Sequence, residues 1–198
     1  MLLLLPLAAP FVFGQLVLPT NLPSVSSNFI LRAHATSSNN TLASRIDNWE
    51  LFMLGNDTCN QFGSLTKPST PENDGVMLFV NVETKTIQSQ RDGRNRTLTI
   101  EVRPDERKIL KLECGEENLS QVGVGWQGYT PVLTLERDTD SQFYACDDAG
   151  NGTASVFYRQ RDSEELPRNC ADVDLLFECA QGPDHGMIEV AACCTQDV

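Results

Sequence analysis

Alternation of apolar and polar residues recurs along this chain, and it restricts the possible fold more than any other feature. In the segment TLTIEV, Leu98, Ile100 and Val102 alternate with polar residues. A period of two is typical of a β-strand with one buried face. KILKLEC and VDLLFEC alternate in the same way, and each ends with a cysteine, Cys114 or Cys179, on its apolar face. We therefore expect half-buried strands whose cysteines face the core.

Further short strands are predicted where β-branched and aromatic residues cluster between turn-forming residues. The clearest hairpin joins TKTIQSQ to TLTIEV around RDGRNR, and we interpret Arg91, Arg94 and Arg96 as a solvated turn around Asp92-Gly93. No segment shows ten or more residues of helical period. The remaining predicted strands are NFILRAHA, WELFML, VMLFVNVE, PVLTLER, QFYACD and SVFYRQR.

Many short strands in one chain predict an all-β fold, because each strand must bury one face and most edges must be covered. We expect a single-domain antiparallel β-sandwich or closed β-barrel stabilised by disulfides. The sequence leaves the choice between sandwich and barrel open.

The chain begins with an uncharged apolar run of about a dozen residues, followed by Gly14 and the polar Gln15. A membrane span needs about 20 apolar residues, so this run predicts a cleaved secretory signal peptide instead. We expect residues 1–14 to be this leader. Residues 15–28 contain prolines and small polar residues and should be extended and mobile, and residues 29–198 should form one β domain.

Five Asn-x-Ser/Thr triplets lie behind the leader, and each fits the acceptor pattern for N-glycosylation. Together with the leader they indicate a secreted, extracellular glycoprotein. The acceptor asparagines are Asn39, Asn56, Asn95, Asn118 and Asn151.

All seven cysteines lie in the part of the chain predicted to enter an oxidising compartment, where disulfides form. The spacing between Cys170 and Cys179 fits neither zinc ligands nor a Cys-x-x-Cys redox pair. Adjacent Cys193 and Cys194 should point to opposite faces of a strand and so take different partners. Connectivity stays open, and the odd count leaves one free thiol or an intermolecular link. The full set is Cys59, Cys114, Cys146, Cys170, Cys179, Cys193 and Cys194.

The formal net charge of −12 argues against nucleic acid as a partner, because an acidic surface repels phosphate backbones. The C-terminal segment lacks the hydrophobic tail that a lipid-anchor signal needs. We expect no membrane anchor.

Catalytic patterns are sparse. His34 falls in a predicted strand, and His185 lies in a Gly/Pro turn where it could be exposed. No Gly-x-Ser-x-Gly motif occurs, the histidines lack metal-ligand spacing, and DDAGNG fails as a calcium loop. We therefore predict no catalytic residue, no metal and no cofactor. A pair of catalytic carboxylates remains an alternative, since the chain has 27 acidic residues whose spacing in the fold is unknown from sequence.

The segment VGVGWQGYTP is the most suggestive binding feature, because Trp126 and Tyr129 stand among glycines. Exposed aromatic rings can stack on sugar faces. The interpretation favoured by sequence is that Trp126 fills the core and the glycines permit bends or bulges. Trp49, which precedes ELFML, is also expected in the core.

The segments NFILRAHATSSN, WELFMLG, QFYACD and NCADVDLLFECA, behind a leader, resemble small secreted proteins of filamentous fungi that are grouped as domains of unknown function. The resemblance spans about Phe29 to Ala180. It implies an all-β, cysteine-containing extracellular domain and supplies no established catalytic residue. Cys59, Cys193 and Cys194 have no place in that pattern.

These features lead us to expect a non-catalytic extracellular β-domain that binds cell-wall polysaccharide or an extracellular protein. Two alternatives remain open from sequence. An extracellular hydrolase would need two carboxylates in a cleft, and a small-ligand carrier would need an apolar cavity inside a barrel.

Overall fold

The computed structural model is nearly all β, as the alternating sequence predicts. It describes residues 24–37, 41–55, 59–68, 75–114, 122–135, 140–147, 152–161, 163–186 and 188–194. The predicted leader and the acceptors Asn39, Asn56, Asn118 and Asn151 lie outside these residues. Within them, no helix has the length and hydropathy to span a membrane.

The described residues form one short helix and fifteen strands. The elements are β1 (Ser24–Ser26), β2 (Asn28–Ala35), α1 (Thr41–Ile46), β3 (Glu50–Leu54), β4 (Asn60–Thr66), β5 (Phe79–Asn81), β6 (Ile87–Arg91), β7 (Arg94–Val102), β8 (Lys108–Cys114), β9 (Val122–Gln127), β10 (Thr130–Leu135), β11 (Ser141–Cys146), β12 (Thr153–Gln160), β13 (Cys170–Ala180), β14 (Ile188–Glu189) and β15 (Ala191–Cys193).

All pairings between these strands are antiparallel. The main sheet has the order β14-β5-β6-β7-β8-β12-β4-β3-β2-β13-β10-β9, with β11 joining β12 to β13, and β1 pairs separately with β15. Near its middle, β4 and β12 pair through Ser64–Thr66 and then separate, and β8 pairs with both. The result is sandwich-like rather than a clean barrel.

The predicted hairpin around Asp92-Gly93 is confirmed. Strands β6 and β7 pair directly across this two-residue turn, with Arg91 opposite Arg94. Both turn residues have positive φ, at 55° for Asp92 and 71° for Gly93. This is the backbone pattern of the tight turn that Asp-Gly favours between antiparallel strands.

The interpretation of Arg96 as part of a solvated turn is wrong. Its side chain is 2% exposed, and its Nη1 donates to Oε1 of Gln61 at 2.7 Å. The reason is the side of the strand to which it points: Arg96 lies on the same face of β7 as Leu98, which is wholly buried in the core. Of the three arginines, Arg91 and Arg94, which flank the turn, are the exposed ones.

Strands β7 and β8 differ from the prediction of one buried face. Thr97 and Thr99 are buried as well as Leu98, and Ile109 is buried as well as Leu110. The second face of β8 belongs to a smaller apolar cluster that includes Phe157. These central strands are covered on both sides, so their alternation does not mark a solvent face.

Strand β13 does follow the predicted alternation. Val173, Leu175 and Phe177 are fully buried in the main core, whereas the side chains between them are half-buried. Trp49 also packs in this core, as predicted.

Strand structure is present before the boundary predicted at Phe29. Ser24–Ser26 forms β1 and pairs with β15, and the Ser26 hydroxyl donates to the Ala180 carbonyl at 3.1 Å. Residues 24–28 thus contribute β1 and the first residue of β2 to the strands of the fold.

Three disulfides join Cys59 to Cys114, Cys146 to Cys170 and Cys179 to Cys193, which leaves Cys194 free. The Cys146–Cys170 bridge lies within the smaller apolar cluster, and Cys193 is buried in the main core. Cys193 is bonded and Cys194 is free because successive side chains point to opposite sides of an extended chain. Burial, and then the negative charge of Glu178, raises the pKa of the Cys194 thiol.

Substitution of two neighbouring leucines tests the facing of β13. Leu175→Ala should lower the free energy of unfolding by about 3 kcal/mol, because it leaves a cavity in the core. Leu176→Ala is the matched control and should cost about 1 kcal/mol or less, because its side chain is only half-buried. Urea unfolding with the disulfides intact measures both, and equal costs would contradict the assigned faces.

Alkylation of native, unreduced protein tests the cysteine assignment. Iodoacetamide should modify Cys194 alone, and at about pH 8 it should react more slowly than free cysteine, because a raised pKa leaves less thiolate. Glu178→Gln removes a charge that disfavours the thiolate and should increase the rate. Peptide mapping that finds label on any other cysteine would contradict the pairing.

Candidate functional site

The β9–β10 hairpin carries the aromatic residues singled out in the sequence. Its strands pair from Val122–Leu135 to Gln127–Thr130 and are joined by the two-residue turn Gly128-Tyr129. Gly128 has φ of 63°, a conformation that other residues adopt at a cost. The glycine therefore allows the tight turn that places Tyr129 at the tip.

Trp126 does not fill the core, and the sequence interpretation is wrong on this point. Its side chain is 56% exposed and that of Tyr129 is 70% exposed. They are the two aromatic residues among the exposed large apolar side chains in the described part of the chain. The other tryptophan and the other two tyrosines are buried.

The position of β9 in the sheet explains this exposure. It is the last strand in the order and pairs only with β10 among the described strands. Val122, Val124 and Trp126 share one face, and their exposure rises from 0% through 38% to 56%. The hairpin thus begins in the core and ends beyond it, with Pro131 opposite Trp126.

Gly125 is required for close packing of the hairpin's other face. A Cβ atom at this position would lie 2.4 Å from Cγ2 and 2.8 Å from Oγ1 of Thr134, closer than atoms can approach. The structure therefore differs at Gly125 from the expectation that these glycines permit bends or bulges. Gly125 instead leaves room for the side chain of Thr134 on the neighbouring strand β10.

The arrangement is suited to contact with a flat, weakly polar surface. Two aromatic rings stand near one hairpin tip, with Val124 beside them on the strand. Aromatic faces carry partial negative charge and attract the positively polarised C–H groups of a ligand. Sugar rings present such groups on one face and hydroxyls around their edge.

The two histidines are held by separate parts of the structure. The exposed His34 has its Nδ1 3.3 Å from Oδ1 of Asp47. The half-buried His185 stacks on Phe79 with ring centroids 4.3 Å apart, and its Nδ1 lies 3.1 Å from Oε1 of Gln90. Neither histidine contacts the aromatic hairpin through these interactions.

In the described part of the chain, two pairs of carboxylates converge, each around a cation: Glu101 and Glu113 pair with Lys111, and a second pair surrounds Arg32. Arg32 forms ion pairs with Glu50, at 2.8 Å, and with Glu178. The second oxygen of Glu50 accepts a hydrogen bond from the backbone N–H of Gly75 at 3.2 Å. These bonds give Glu50 and Glu178 a structural role. Among the described residues, no group of three or more metal-ligating side chains could hold a metal ion.

Of the five predicted glycosylation acceptors, Asn95 is the one within the described residues. It lies in β7 directly after the Asp92-Gly93 turn, and its Oδ1 accepts a hydrogen bond from Nε2 of Gln90 at 3.2 Å. Gln90 lies close to Asn95 in the sequence, whereas His185, which contacts the same Gln90, comes from a distant part of the chain, and no local pattern predicts that contact.

Three comparisons place the chain among known proteins. No curated protein matches its sequence. Among solved structures, the full-length CARDS toxin has a similar fold, with a TM-score of 0.53 and 10% sequence identity. The match covers 81% of this chain but 28% of the toxin chain, so this chain spans less than a third of that protein. At this identity the likeness concerns the fold alone.

The model of a domain of unknown function, DUF7907, matches residues 26–179. The matched region includes β2 to β13 and therefore nearly all of the main sheet, the aromatic hairpin and Asn95. This finding confirms the resemblance to a family of unknown function. The chain belongs to the DUF7907 family.

Proposed function

We propose that this protein is a secreted, N-glycosylated and non-catalytic domain that binds cell-wall polysaccharide through Trp126 and Tyr129. The observation that carries the proposal is the exposure of both rings on an edge hairpin. Large apolar side chains that remain on a surface in one place often mark a binding site. Here the rest of the chain's tryptophan and tyrosine side chains are buried, so the exposure is selective.

Export is supported by the leader, the acceptor triplets and the cysteines. Three disulfides are compatible with an extracellular location, because such bonds persist in oxidising compartments. A small domain with three disulfides and a net charge of −12 is suited to a cell wall or the medium around it. Fungal walls fit the family resemblance found in the sequence.

A neutral polysaccharide is the class of ligand that fits the site best. Uncharged glucan or chitin suffers no repulsion from a protein of net charge −12, whereas acidic polymers would. Binding by stacked rings also needs no deep pocket. The shape of the contact therefore favours an extended chain or a wall surface over a small enclosed ligand.

Sedimentation with insoluble chitin, β-glucan and cellulose tests the proposal. The native protein should bind at least one of the three. Trp126→Ala should weaken that binding about tenfold, corresponding to about 1.4 kcal/mol for one aromatic contact. A second change, Tyr129→Ala, should reduce it further.

Val82→Ala is a suitable control, because Val82 is also exposed but lies beside β5, near the other end of the strand order. It should bind like the native protein, and all variants should unfold at similar urea concentrations. Absence of binding by the native protein to all three polysaccharides, or equal binding by Trp126→Ala, would contradict the proposed site.

A further inference from the structure

A hollow with both polar and apolar lining lies beside the β6–β7 hairpin, away from the aromatic site in the strand order. It has a volume of about 410 Å³ and is open to solvent. That volume falls in the range of about 300 to 1,000 Å³ that is typical of small-ligand sites. Its lining consists of Cys59, Gln90, Gly93, Arg94, Asn95 and Cys114.

A chain of hydrogen bonds fixes the Asn95 amide at the wall of this hollow. Gln90 accepts from Nδ1 of His185 and donates through Nε2 to Oδ1 of Asn95. His185 is in turn fixed by stacking on the buried Phe79. With Oδ1 occupied, the Nδ2 atom of Asn95 is left as the amide's free end among the described contacts.

The Asn95-Arg96-Thr97 triplet is a glycosylation acceptor whose last two residues are buried in the fold. Arg96 is 2% exposed and Thr97 is 1% exposed. A transferase must read the threonine, so it can modify Asn95 only before the β6–β7 hairpin closes. The sugar would therefore be in place while the hollow forms around it.

We infer that Asn95 carries an N-linked glycan whose first N-acetylglucosamine occupies the hollow and covers the Cys59–Cys114 disulfide. The inference rests on the export included in the proposed function. In the modification, Nδ2 forms a bond to C1 of the sugar as the C1–O bond to a lipid pyrophosphate donor breaks. The lipid pyrophosphate leaves with the electron pair of the C1–O bond, and the proton lost from Nδ2 passes to a base of the transferase.

The lining is suited to a sugar ring. Nothing lies within 4 Å of the position a Cβ would take on Gly93, so the turn leaves open space beside Asn95. The exposed Arg94 guanidinium can donate to hydroxyl or acetamido oxygens. The half-buried cystine offers an apolar surface to the ring's C–H face.

Reduction of the disulfides provides the test. A thiolate must reach a sulfur atom to break a disulfide, so a seated sugar should slow reduction of Cys59–Cys114. The full-length protein is secreted from a eukaryotic host, and glycopeptide mapping establishes whether Asn95 is occupied. Reduction by dithiothreitol is then followed by alkylation and mapping of each cysteine.

Asn95→Gln removes the acceptor but keeps an amide, and it should speed reduction of Cys59–Cys114 by roughly tenfold through increased access. Thr97→Ser keeps the acceptor and should behave like the native protein. Cys146–Cys170 is the internal reference, because it is buried and should open only with the whole fold. Its rate should be the same in all three proteins.

Trimming separates the first sugar from the rest of the glycan. An endoglycosidase that leaves a single N-acetylglucosamine on asparagine should preserve the slow reduction. Loss of protection on trimming, or equal acceleration of both disulfides in Asn95→Gln, would overturn the seat in the hollow. An unmodified Asn95 beside occupied acceptors would overturn it while leaving export intact, whereas a protein that is not secreted would overturn both.

Discussion

The pairing of β13 with its neighbours is the constraint on which the rest of the structure depends. This strand pairs with β2 along residues 173–180, with β11 near its start and with β10 at Leu176. Its inward side chains are fully buried, and disulfides hold it at both ends, through Cys170 and through Cys179. Each such bridge restricts the unfolded chain and contributes about 3 kcal/mol in the loop-entropy picture.

The aromatic hairpin depends on this strand through β10. Val132 pairs with Leu176, and β10 then carries β9 outward as the last strand of the sheet. An exposed edge strand is normally a risk for aggregation, and proteins limit it by keeping edges short or covered. Here the edge strand exposes Trp126 to solvent. That exposure adds nothing to the stability of the fold, and a binding role accounts for it better.

Sequence patterns predicted most of the strands because a half-buried strand leaves a period of two. NFILRAHA corresponds to β2 along its whole length, and the Asp92-Gly93 hairpin has the turn its residues favour. Strand β4 was missed because Gly63 and Ser64 lower its apparent β-propensity, although Gly63 packs closely against Leu110. Strand β9 was missed for a similar reason.

Tertiary context decided the remaining cases. Burial of Arg96 depends on β4, which supplies Gln61 from far along the chain. The cysteine pairs could not be deduced because connectivity is set by which strands become neighbours. Exposure of Trp126 follows from the edge position of β9, and no local pattern distinguishes an edge strand from a central one. The alternation of Val122, Val124 and Trp126 could have indicated the strand itself, but not the exposure of its last aromatic residue.

Fluorescence quenching of Trp126 tests the central claim most directly. In a Trp49→Phe variant, Trp126 is the remaining tryptophan, and acrylamide should quench it efficiently because its ring is exposed. Saturating soluble oligosaccharides of chitin or β-glucan should reduce that quenching as a sugar covers the ring. A tryptophan shielded before any sugar is added, or one whose quenching no oligosaccharide changes, would contradict the account.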